Sequence, residues 1–281
     1  MNAIISAFGQ AINVKAEEQK MVGNLFLHHF FQGFGLALVF IVANSIFLAE
    51  HGVKELPYVY IISGILVLVV GRIYAWFEHH SSPKNLLLSV VLSSIFILIL
   101  LWSTGLLVKE SFFAFILMCT FQVLYLLYNL EFWGLSALVF DVRQSKRLFG
   151  LISAGDVPAK MLGYLTVSVL ALYIPLHFLI LLAGVTVAIS VVFLLKILRS
   201  HNLEEENTRD LHHQFQKEGS TSHPMRYLKA FFRSRFIIVA AILSFIVVIT
   251  LAFINYAFLL EVKYQFKKDT SFFGFFDLLC F

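Results

Sequence analysis

The sequence holds only two cysteines in 281 residues, Cys119 and Cys280, which excludes a disulfide framework. Charge is also scarce. Asp, Glu, Lys and Arg make up 14%, where about a quarter is usual in a soluble domain. No P-loop, HExxH or GxSxG pattern occurs. Gly33 and Gly35 are followed by Leu38 where a GxGxxG motif needs glycine, so a dinucleotide fold is not supported. The adjacent histidines His28-His29, His79-His80 and His212-His213 are poor metal pairs, because neighbours on a helix point about 100° apart. They fall near predicted membrane ends or in a polar linker, where interfacial or solvated side chains are expected. No metal, cofactor, nucleic-acid partner or enzymatic activity is expected.

Hydrophobic residues make up 59%, including 31 phenylalanines. One soluble core cannot hide that much apolar surface, and disorder or a collagen helix is excluded as well. The expected class is an all-α polytopic membrane protein. Its apolar runs fit the roughly 20 residues a helix needs to cross a ~30 Å core. They are Leu25–Ala49, Leu56–Phe77, Asn85–Val108, Phe112–Phe140, Leu148–Ile174, Pro175–Leu195 and Phe236–Leu260. Lipid requires each to be helical, and the alternation of a barrel strand is missing. An eighth run, Ser271–Phe281, is too short to cross at about 16 Å. It reads as the start of a helix cut off by the chain end.

Charge placement sets the orientation. With the N-terminus inside, fifteen of the 21 lysines and arginines fall on the cytoplasmic side and five on the other, with Lys160 inside a span. That predicts an inner-membrane protein with its N-terminus in the cytoplasm. Residues 1–24 are not a secretion signal. Ile5, Phe8 and Ile12 recur at helical spacing, so this segment is either an interfacial helix or a partly ordered tail. Residues 25–197 form six spans, 198–234 a charged cytoplasmic linker, and 235–281 a seventh span plus the truncated eighth. Two six-helix halves joined by such a linker is the plan of major facilitator transporters, so the chain reads as one half and the start of the other. A seven-helix receptor would normally put its N-terminus outside.

A charge near mid-bilayer costs at least ~2.5–3.5 kcal/mol by insertion scales and needs a reason. Arg72 is close enough to its span end to snorkel. Glu131 lies about 15 Å above Asp141 on the fourth helix. Asp156 lies about 13 Å above Arg147 on the fifth, and Lys160 near 20 Å. Asp156 and Lys160 stand i,i+4 with the acid first, the favourable order for a pair. Pro158 between them invites a kink. A structural pair that pins helix packing is as good a reading as a functional one. On the fourth helix Gln122, Tyr125, Asn129, Trp133 and Ser136 share one stripe, with Glu131 opposite. Either the stripe lines a cavity while Glu131 packs towards Lys160 or another helix, or Glu131 faces the cavity and the stripe joins helices. An unpaired Glu131 would be a candidate proton carrier. Arg143, Lys146 and Arg147 either anchor the fourth loop to lipid headgroups or form an interdomain latch.

At Phe132–Gly163 the chain reads FWGLSALVFDVRQSKRLFGLISAGDVPAKMLG. It resembles the bacterial and plastid ATP/ADP translocase family, a divergent branch of the major facilitator fold. The shared features are Phe132-Trp133-Gly134, Lys146-Arg147 with Phe149, and Gly155 and Gly163. Asn255-Tyr256, Phe272-Phe273-Gly274 and the Phe47–Gly52 exit of the first span are similar as well. The resemblance implies secondary transport by alternating access, as an antiporter of an anionic metabolite or nucleotide. The anion would bind near Lys160, with Glu131 or Asp156 coupling protons and Gln122, Tyr125 and Asn129 lining the site. Family members carry a first-span lysine and an earlier acid in the fourth span. Here the first span has no lysine and Cys119-Thr120-Phe121-Gln122 stands in place of the acid. A non-transporting sensor or scaffold built on the same fold is the alternative. Relatives of this kind can carry a soluble domain downstream.

Overall fold

The computed structural model describes residues 14–15, 17–107, 109–200 and 235–265. The expected amphipathic segment around Ile5, Phe8 and Ile12, nearly all of the linker, and the Ser271–Phe281 run lie outside the described residues. All the regular structure among the described residues is helical. The helices are α1 (Gln19–Glu50), α2 (Leu56–His80), α3 (Pro83–Leu107), α4 (Glu110–Val139), α5 (Val142–Ser153), α6 (Asp156–Leu170), α7 (Leu176–Ser200) and α8 (Arg235–Gln265). Six of them, α1 to α4, α7 and α8, are long and apolar enough to cross a membrane. The chain is an α-helical polytopic integral membrane protein. It divides into two units, one containing α1–α7 and one containing α8, each described by itself.

Helix α1 is the hub of the bundle. Its 32 residues reach about 48 Å. Of its most apolar stretch, 78% is buried, against 17% for α2, which presents apolar side chains almost all round. Helices α4, α6 and α7 surround α1. Two polar ties fix how α1 and α4 run. His51, just after α1, bonds the Ser111 carbonyl oxygen at 2.7 Å near the start of α4. Glu18, just before α1, bonds Arg147, a few residues past the end of α4. The two helices are therefore antiparallel. Gly52, with φ 83°, makes the turn that leaves α1, a conformation that favours glycine.

Small residues bring the helices of the bundle together. A Cβ on Gly33 of α1 would lie 2.6 Å from Asp156 Oδ1 and 3.2 Å from Ala159 Cβ, both on α6. A Cβ on Gly163 of α6 would lie 2.7 Å from Ala37 Cβ. Lipid supplies no hydrophobic drive between helices, so such close backbone approach is what holds them.

The expected fifth span, Leu148–Ile174, is not one helix. It breaks between Ser153 and Asp156. Pro158 accounts for it, as expected: it has no N–H for the carbonyl of Ala154 four residues earlier and its ring clashes with that carbonyl, whereas as third residue of a new helix α6 it is tolerated. The break falls at Ala154-Gly155, where a Cβ on Gly155 would lie 2.9 Å from the Phe26 carbonyl oxygen of α1. Upstream, α5 is started by a capping box. The Asp141 carboxylate accepts from the Gln144 N–H at 2.8 Å, and Gln144 Oε1 accepts from the Asp141 N–H at 3.1 Å.

Candidate functional site

The polar centre of the bundle is built on two adjacent faces of α1. His28 and Gln32, one turn apart, point at α4. His28 Nε2 lies 3.1 Å from both carboxylate oxygens of Glu131, and Gln32 Nε2 donates to Glu131 Oε2 at 2.9 Å. Glu131 and His28 are completely enclosed, and Gln32 is 1% exposed. On the other side of the imidazole, His28 Nδ1 sits 3.0 Å from the Ser190 carbonyl oxygen of α7. The His28 imidazole thus joins three helices, α1, α4 and α7. His28 lies about 14 Å into α1, Glu131 about 12 Å before the end of α4, and Ser190 about 15 Å before the end of α7. That is mid-depth.

The geometry also places the protons. A carbonyl oxygen only accepts, so His28 Nδ1 carries a hydrogen. The contact between Nε2 and Glu131 then holds one further proton, as imidazolium with carboxylate or as neutral imidazole with carboxylic acid. In both forms the pair has no net charge. Losing that proton would set a nitrogen lone pair against a carboxylate, inside apolar surroundings.

The second face of α1 carries His29 and Gly33 and meets α6. Asp156 Oδ1 packs over Gly33, and Asp156 Oδ2 holds Lys160 Nζ at 2.6 Å. The i,i+4 ion pair expected from spacing is present, with each side chain about a quarter exposed. Asp156 also stands in the first turn of α6, where the helix dipole favours an acid. The His29 ring stacks on Phe132, centroids 3.7 Å apart and 14° from parallel. It lies within electrostatic range of Asp156, His28, Glu131 and Lys160. Positions 28 to 33 of α1 therefore link the enclosed carboxylate to the ion pair nearer the bundle surface.

Several expectations change here. Glu131 is not unpaired, and its partners are His28 and Gln32, not Lys160. His28 is neither interfacial nor solvated: counting depth alone put it near a membrane end, but α1 begins earlier, at Gln19. The stripe on α4 divides. Tyr125 and Trp133 are 47% and 41% exposed, Gln122 and Asn129 are half-buried, and Ser136 is enclosed. Asn129 bonds the Tyr125 carbonyl oxygen at 2.8 Å, and Trp133 packs edge-on against Phe149 of α5 at 5.2 Å. Glu131 therefore faces the bundle interior towards α1, and most of the stripe faces outward.

The basic group after α4 divides too. Arg147 grips Glu18 through both oxygens, at 2.6 and 2.5 Å, while Arg143 and Lys146 are exposed. Burial opposes ionisation of Glu18. Hydrogen bonds from the Lys15 N–H, Gln144 and Arg147, together with the Arg147 charge, outweigh it and hold the carboxyl below its usual range. Among the described residues no group of three His, Cys, Asp or Glu is placed to hold a metal ion.

No known protein family, curated protein or solved structure matches this chain. The resemblance to ATP/ADP translocases rests on the sequence stretches that carry it. Of the residues in the Phe132–Gly163 stretch, Gly163 has a structural meaning here as a point of close approach between α6 and α1.

Proposed function

We propose that the chain is the membrane part of a secondary active transporter of the major facilitator type, working by alternating access with its N-terminus in the cytoplasm. It moves an anionic metabolite or nucleotide and couples that movement to protons. The observation that carries this reading is Glu131 of α4, a carboxylate completely enclosed in the bundle and held by His28 and Gln32 of α1. An ionisable residue enclosed within membrane-spanning helices is costly and marks an ion or substrate path by default. Lys160 on α6 is only partly covered, so it suits an anion once Asp156 lets go. The cavity of about 310 Å³ at the opposite end of the bundle suits an anion poorly, because Glu50 and Glu110 line it.

One observation favours a non-transporting sensor or scaffold. Glu131 and Lys160 both find partners inside the same bundle. Uptake by the full chain in proteoliposomes, with ADP and inorganic phosphate as probes, separates the two. Transport predicts uptake that rises with a pH gradient and is lost in Glu131→Gln and Lys160→Ala. Uptake unchanged in both variants at every pH sinks the site assignment, and no uptake by the unaltered protein favours the scaffold.

A further inference from the structure

The His28–Glu131 pair holds one proton and has no route to water of its own. Both residues are completely enclosed, with Leu25 of α1, Phe132 and Leu135 of α4, and Val187 and Leu194 of α7 buried in the same core. Two polar atoms on the same stretch of α1 are buried without a hydrogen-bond partner among the described residues: His29 Nδ1 and Gln32 Oε1. Positions 29 and 32 are i,i+3 neighbours on the helix surface, so the two atoms belong to one locality. Gln32 also donates to Glu131, and His29 stacks on Phe132, the residue after Glu131. Buried polar atoms are normally matched, and a single water bridging an acceptor oxygen and a ring nitrogen matches both.

From this juxtaposition we propose that His29 is a proton carrier, connecting the enclosed His28–Glu131 pair through a bridging water to Asp156. It rests on the transport reading only for the use made of the proton. The titratable and charged groups facing His29 are His28 on its own helix, Glu131 on α4, and Asp156 and Lys160 on α6. Imidazole suits the task because it accepts at one nitrogen while releasing at the other.

In the outward step an O–H bond on Glu131, or the N–H at His28 Nε2, breaks as an O–H forms on the bridging water. Another O–H of that water breaks, and an N–H forms at His29 Nδ1. The N–H at His29 Nε2 breaks, and an O–H forms on Asp156. One proton moves and total charge is conserved. Asp156 becomes neutral, so Lys160 loses its counter-ion and presents a free cation. Proton arrival and anion binding are thereby tied together.

The test does not need transport. In the purified full chain, the carboxyl infrared band that disappears in Glu131→Gln, acid C=O or carboxylate according to where the proton rests, reports the pair, and its shift in heavy water times proton exchange. In His29→Phe, and separately in His29→Gln, that exchange slows about a hundredfold, the low end of what a positioned proton-transfer group contributes. His29→Gln retains polarity and serves if the phenylalanine variant does not fold. Exchange at the unaltered rate in a folded variant overturns the proposal. Slowed exchange in a protein that takes up neither ADP nor phosphate keeps the relay and removes the transport reading.

Discussion

The Ser190 carbonyl oxygen, 3.0 Å from His28 Nδ1, fixes the tautomer of a histidine whose other nitrogen faces Glu131. Removing the imidazole leaves the carboxylate with Gln32 alone. His28→Ala should therefore cost about 3–5 kcal/mol, as breaking a buried pair does. Glu131→Gln keeps the shape and a hydrogen-bonding side chain, and should cost about 1 kcal/mol. Chemical denaturation in detergent micelles reads both values. Equal costs would show that Glu131 is not held as a charge-sharing pair.

Gly33 sits under Asp156 Oδ1 so closely that no side chain fits. Gly33→Val should destabilise by about 1–3 kcal/mol through overpacking and push Asp156 off Lys160. Thermal unfolding follows the first effect. The second shows as increased reactivity of Lys160 towards an amine reagent. Gly23, with nothing near its Cβ position, should accept alanine without either change.

Glu18 is held ionised below its usual range, so its pH effect has a definite sign. Its contribution is fully present above the ordinary carboxylate range and is lost as the pH falls through its lowered value. Acidification should therefore loosen the tie between the start of α1 and α5. Glu18→Gln should flatten the acid side of the stability profile and leave the neutral side lower. An unchanged acid limb would mean that other carboxylates set it.

Orientation is checked with single cysteines in a Cys119→Ser, Cys280→Ser background. A membrane-impermeant maleimide should label Lys109→Cys in intact cells, and Ser81→Cys only after permeabilisation. The reverse pattern would place the N-terminus outside and move Arg143, Lys146 and Arg147 with it.

What could be read from the sequence followed distance along the chain. Asp156 and Lys160 were legible as a pair because four residues of helix bring them together whatever the fold does. The spans were legible because lipid demands helices. Glu131 was legible as a buried charge, but its partners were not, since His28 lies 103 residues away and Ser190 lies 162 from His28. The break before Asp156 was legible as a Pro158 kink, but its place, at Ala154-Gly155 upstream of the proline, was not, because hydropathy continues across it. His29 gave no signal of its own; the stack on Phe132 and the neighbouring Asp156 appear only when α4 and α6 close on α1.

The central position of α1 bears on the order of synthesis. Its partners on α4, α6 and α7 are made well after it. At roughly 5–20 residues per second, Glu131 appears about 5–20 s after His28, and Ser190 later still. Throughout that interval a helix bearing two histidines, two glutamines and three glycines lacks the partners of His28. Substitutions at His28, Gln32 or Gly33 will therefore be felt during biogenesis as well as in the finished bundle.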